Sequence, residues 1–166
     1  MSYKYRLYIQ KAKEGSVVKE TIDDFSIFLK DAPFKPFPES KELYSNDWHD
    51  EDGLDEYIPD VLKMASYTLP LEFAYKGPKD SAYGVIKTFI DYLTGRDGSG
   101  AEMSFYSTYL GFGRRRVRFV SIDDSAELVR DGVDGDILIF KVTFKVNDPI
   151  YDVKAEYTND KVTMLK

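Results

Sequence analysis

Alternation of apolar and polar residues recurs from one end of this chain to the other. Leu138, Phe140, Val142, Phe144 and Val146 project to one side of a run whose other side carries Lys141, Thr143 and Lys145. A period of two is the repeat of a β-strand with one buried face, and a helix would scatter the same apolar residues around its axis. Ile137 and Ile139 add apolar side chains to the second face, which predicts that the first half of this strand is buried on both sides. The same period appears at residues 3–10, 68–75, 102–109, 114–122 and 151–157, and more weakly at 17–18 and 25–29. Turn residues separate the runs, among them Gly15, Gly77–Pro78, Gly111, Gly113 and the stretch DGVDGD at 131–136. The pattern predicts seven to nine strands.

Residues 82–93 follow a different rhythm. Ala82, Val85, Ile86, Phe89, Ile90 and Leu93 form an apolar stripe at helical spacing, with Asp80 or Ser81 as N-cap and Gly95 just past the end. There is no repeating strand–helix–strand order, so a parallel sheet is not expected. The expected fold is mainly β, a β-rich α+β class: an antiparallel β-sandwich or split barrel with one packed amphipathic helix. Its 166 residues are read as a single domain, 1–166.

Residues 31–60 break the alternation. Pro33, Pro36, Pro38 and Pro59 each remove a backbone donor and restrict the residue before them. Phe34 and Phe37 sit among these prolines, and Trp48 and Tyr57 sit among acids. The stretch reads either as a long surface loop pinned by its own aromatics or as an extended arm that packs on a neighbouring subunit.

Charge is concentrated in the same place. Residues 46–60 hold seven acids, Asp50, Glu51 and Asp52 among them, and no base, which leaves 22 acids against 23 bases elsewhere. The formal charge of −6 therefore belongs to one segment. Clustered carboxylates suit calcium, but placing Gly53 at the glycine of an EF-hand loop puts Trp48 and Pro59 at the terminal ligand positions. A solvated loop or a contact with a basic patch fits better. Residues 114–118 (RRRVR) are the complementary feature, with Arg114, Arg116 and Arg118 expected on one strand face and Arg115 on the core side. With no nucleic-acid motif beside them, they read as a solvated or ion-paired face, one version of which pairs with the acidic arm of another subunit.

Catalytic and cofactor templates come out empty. The chain has no cysteine and one histidine, His49, so thiolate chemistry and sites built on several histidines are excluded. Gly111 and Gly113 lack the third glycine of a dinucleotide loop, and neither a P-loop nor a Gly-x-Ser-x-Gly elbow occurs. No catalytic, cofactor-binding or metal-binding residue is nominated, and no cofactor is expected. The first residues lack the apolar core of a signal peptide, and no run of apolar residues is long enough for a membrane span.

The order of elements is familiar. A strand (LPLEFAY) leads through Gly-Pro into a helix (SAYGVIKTFIDYLTG), then a strand rich in aromatics (EMSFYSTY), a basic strand (RRRVRFVSI) and an apolar strand closing on a turn (ILIFKVTFKVNDP). Over residues 68–150 this resembles the tail-tube and distal-tail protein group of long-tailed bacteriophages and prophages. The resemblance implies a non-enzymatic tail structural protein, assembled in the bacterial cytoplasm into a virion. Its partners would be copies of itself in a ring and other phage tail proteins, with neither membrane nor sequence-specific nucleic acid involved. Phe34, Phe37, Trp48, Asp50, Glu51, Asp52, Tyr57, Arg114, Arg116 and Arg118 become the candidate oligomer contacts. Thirteen tyrosines also allow a different reading, a small β-barrel module that binds a carbohydrate or other ligand.

Overall fold

The computed structural model describes residues 6–32, 37–123, 127–131, 135–158 and 161–165. The chain opens with β1 (Leu7–Lys11), β2 (Lys19–Glu20), helix α1 (Thr21–Phe25) and β3 (Ile27–Asp31). The proline-rich stretch contributes only the short β4 (Ser45–Asn46) and β5 (Asp55–Glu56). Then come β6 (Tyr67–Gly77), helix α2 (Ala82–Thr94), β7 (Met103–Ser107) and β8 (Phe112–Ile122). The chain ends with β9 (Glu127–Asp131), β10 (Gly135–Val146), β11 (Lys154–Thr158) and β12 (Lys161–Leu165).

Strands β2-β1-β7-β8-β10-β6-β3 form one antiparallel sheet in that order, with β9 added alongside the first half of β10. The protein is mostly β, and this sheet curls into a half-barrel. The predicted strand 138–146 lies at its centre. It pairs with β6 without a break from Asp136↔Gly77 to Val146↔Tyr67. That register places Phe140, Val142, Phe144 and Val146 beside Phe73, Leu71, Leu69 and Tyr67 on the concave side, and α2 lies across them.

Helix α2 occupies the predicted position, with Ser81 at its N-cap and Gly95 in the left-handed conformation at its C-cap. Its apolar stripe buries Phe89, Tyr92 and Leu93. The Phe89 ring meets Phe73 edge-on at 5.4 Å and Phe25 at 5.2 Å. Its C-terminal carbonyls are closed from the sheet by Lys11, whose buried ammonium donates to Tyr92 O and to Gly100 O, the latter at 2.8 Å. A second, smaller core lies on the other side of the sheet. There the β11–β12 hairpin sets Val153 and Met164 against Tyr8 of β1.

Several expectations shift. A second helix, α1, precedes the expected strand 25–29, because Glu20 accepts from Asp23 N at 2.7 Å while its own amide donates to Asp24 Oδ2 at 2.7 Å. Ser26, with φ of 57°, ends this one turn, and β3 starts at Ile27. The weak run at 17–18 pairs two residues later, as β2. Strands β9 and β12 were not expected. The strand predicted at 151–157 starts at Lys154, and residues 3–5 of the first predicted strand lie outside the described residues.

Candidate interaction site

The proline-rich stretch is an irregular antiparallel hairpin. Its root is closed by a bridge between Ser40 and Met64, with Lys41 N donating to Lys63 O at 2.7 Å and Ala65 N to Glu39 O at 2.8 Å. Farther out, Tyr57 N donates to Tyr44 O at 3.0 Å, and β4 pairs with β5. These two strands pair with each other and with no strand of the main sheet. Pro38 and Pro59 suit such an edge, where a missing amide costs little.

No residue from 37 to 68 is buried. Phe37 is 81% exposed, Trp48 51% and Tyr57 71%, and Tyr44, Leu54, Ile58 and Val61 are also exposed. Trp48 and Tyr57 therefore lie on the surface and are not inserted in the core. Asp50, Glu51 and Asp52 sit at the tip between β4 and β5. None of the seven carboxylates of residues 46–60 forms an ion pair with a described residue. Phe34 lies outside the described residues.

The arginine run divides in a way that the sequence pattern missed. Opposite Ser104, between the pairs Phe105↔Arg114 and Met103↔Val117, β8 carries one residue too many. Arg115 and Arg116 share this bulge, and Arg116 has φ of 53°. The bulge shifts the alternation by one, so Arg114 turns inward and is 3% exposed. Its guanidinium pairs with Asp152 and lies 5.1 Å from the Phe112 ring centroid. Arg115 bonds Asp148 at 2.6 Å and stacks on Tyr151 at 3.8 Å. Burial pushes the Asp148 carboxyl up, but the bond from Arg115 and the amides of Tyr151 and Ile150 outweigh it and hold it below its ordinary value. Arg114 and Arg115 thus clamp the 148–152 loop. The expectation that Arg114 shares an exposed face with Arg116 and Arg118 is corrected.

Arg116 and Arg118 do face outward, and the register gives them company. Lys145 stands opposite Arg118, and Lys141 lies two pairs farther along the same face of β10. Lys141 is exposed and Lys145 half-buried, and neither forms an ion pair with a described residue. Acids flank Lys141 on both sides: Glu72 of β6, which Lys30 of β3 engages at 3.1 Å, and Asp123, whose amide donates to the Lys141 carbonyl at 2.8 Å. The side of β8–β10–β6 away from α2 is therefore a basic sheet face; the exposed Val120 sits at a second bulge of β8, between the pairs Phe144↔Phe119 and Thr143↔Ser121, while Ile122, opposite the buried Val142, belongs to the other side.

A groove of about 520 Å³ separates the root of the arm from the clamped loop, lined by Phe37, Met64, Phe112, Arg114, Pro149 and Ile150. Among the described residues no group of three or more His, Asp or Glu side chains is placed to hold a metal ion. No helix among them is long and apolar enough to cross a membrane. No family model matches the chain, and no match is found among curated proteins.

Proposed function

We propose that this chain is a non-enzymatic structural subunit that self-assembles into a ring or tube, of the kind found in phage and prophage tails. The observation that carries this reading is the arm: a hairpin without a buried residue that presents Trp48, Leu54, Tyr57 and Ile58 to solvent. Uncovered apolar groups gathered on one element mark a surface that another molecule covers. The curled antiparallel sheet, with a single long helix on its concave side, has the element order that the resemblance to tail proteins rests on.

The test is the solution mass of the full chain beside a variant in which residues 42–62 are replaced by a two-residue turn. The full chain is expected to assemble and the variant to run as a folded monomer. A full chain that stays monomeric at every concentration overturns the reading. Exposed Tyr44, Trp48 and Tyr57 on one hairpin would also suit stacking on a sugar ring. A monomer whose Trp48 fluorescence responds to oligosaccharides favours that ligand-binding alternative.

A further inference from the structure

The self-assembly reading leaves open what the arm docks on, and the following rests on that reading. We infer that the acidic tip of the arm docks on the convex basic face of β8–β10–β6 of a second copy, with Arg116, Arg118, Lys141 and Lys145 receiving its carboxylates. Three observations carry it. The charges are segregated within one chain: seven acids and no base on residues 46–60, and two arginines and two lysines brought together by strand register on the face. Neither patch forms an ion pair with a described residue; of the acids beside Lys141, Glu72 is held by Lys30, and Asp123 adjoins it at the end of β8. Uncovered apolar groups accompany the charges, Trp48, Leu54 and Ile58 on the arm and Val120 at the bulge of β8 beside Arg118. Charge complementarity sets the register of such a contact, and the apolar groups supply its affinity.

The two patches are different surfaces of the chain, so the contact is heterologous. A heterologous contact repeats from copy to copy and either closes into a ring or runs on as a filament. Arg114 has no part in it, because it is buried in the clamp on Asp152.

The experiment uses two full-length variants. One reverses the arm (Asp50→Lys, Glu51→Lys, Asp52→Lys) and the other reverses the face (Arg118→Glu, Lys141→Glu, Lys145→Glu), which leaves the bulge at Arg116 intact. Mass is read by light scattering, and fold by circular dichroism. Each variant alone is expected to be a folded monomer, because like charges then meet at its only contact. An equimolar mixture is expected to regain high mass, because each variant's arm then matches the other's face. A face-reversed variant that assembles like the wild type overturns the docking site, while self-assembly through the arm stands if the arm-shortened variant is monomeric. A mixture that stays monomeric also overturns it. A monomeric wild type overturns both readings, and if heparin retains that monomer but not the face-reversed variant, the face belongs to a polyanion.

Discussion

Lys11 shows how far a single residue can depart from its usual setting. It is a polar position at the end of an alternating strand, yet it is 1% exposed and spends its charge on the C-terminal carbonyls of α2. Cations are favoured at that end of a helix, but burial dominates and lowers its pKa from 10.5 to about 8. Between those two values the unfolded chain holds a proton that the folded chain has released, so folding gains as pH rises through the window. Below about 8 both states are protonated and the burial penalty is constant. Urea melts of wild type and Lys11→Met are expected to diverge from pH 8 to 10.5 in favour of the wild type, by up to about 3 kcal/mol. Gly113 is constrained by space: an added Cβ would overlap the Phe105 carbonyl oxygen and meet Val153 Cβ at 3.0 Å. Gly113→Ala is expected to lower stability by about 1–3 kcal/mol in the same assay. Neither role is legible from sequence, since each depends on what another element brings alongside.

Among the elements, α2 was legible and α1 was not. Thirteen residues with a regular apolar stripe and a terminal glycine leave little choice. Five residues make a single turn, which exists because Glu20 and Asp24 hydrogen-bond across its start and Phe25 packs on α2. Phe89 joins α2 to both Phe25 and Phe73, so Phe89→Ala is expected to cost about 3–5 kcal/mol, read as a shift in denaturant midpoint with unchanged slope. The 148–152 loop is held by the Arg114 and Arg115 ion pairs together with Tyr151, which packs on the second core. Asp148→Asn is expected to cost only about 1 kcal/mol, because Arg115 is 41% exposed and water screens the pair. The Asp148 carboxyl is held below its ordinary value, so its contribution is present above that value and fades as pH falls through the lowered one.

At the scale of the whole molecule, the arm and the sheet are energetically separate. Replacing residues 42–62 by a turn is expected to leave the thermal midpoint of the dissociated chain nearly unchanged, read at dilutions where both proteins are monomeric, since no buried side chain is removed and the root pairing of 39–41 with 63–65 stays. The predicted assembly is expected to weaken with salt, because exposed charges are screened over about 10 Å at 0.1 M and about 3 Å at 1 M. Mass measured across that range checks this directly. The candidate site was half legible for a physical reason. The acidic arm is a composition, visible wherever it folds. The basic face is a register: Lys145 lies opposite Arg118 only because β10 and β8 pair as they do.

Local patterning by itself determined the long strands of the main sheet, where the long helix begins and ends, and that the proline-rich, acidic stretch stands apart from that sheet. These follow from side-chain period and from the backbone limits of proline and glycine, which act within a few residues. Only the tertiary structure decided that the sheet curls, that Arg114 is buried while Arg116 and Arg118 are not, and that Tyr44, Trp48 and Tyr57 of the arm are exposed. One extra residue in β8 reverses the side on which the preceding arginine emerges, and a bulge of that kind is set by the strands on either side.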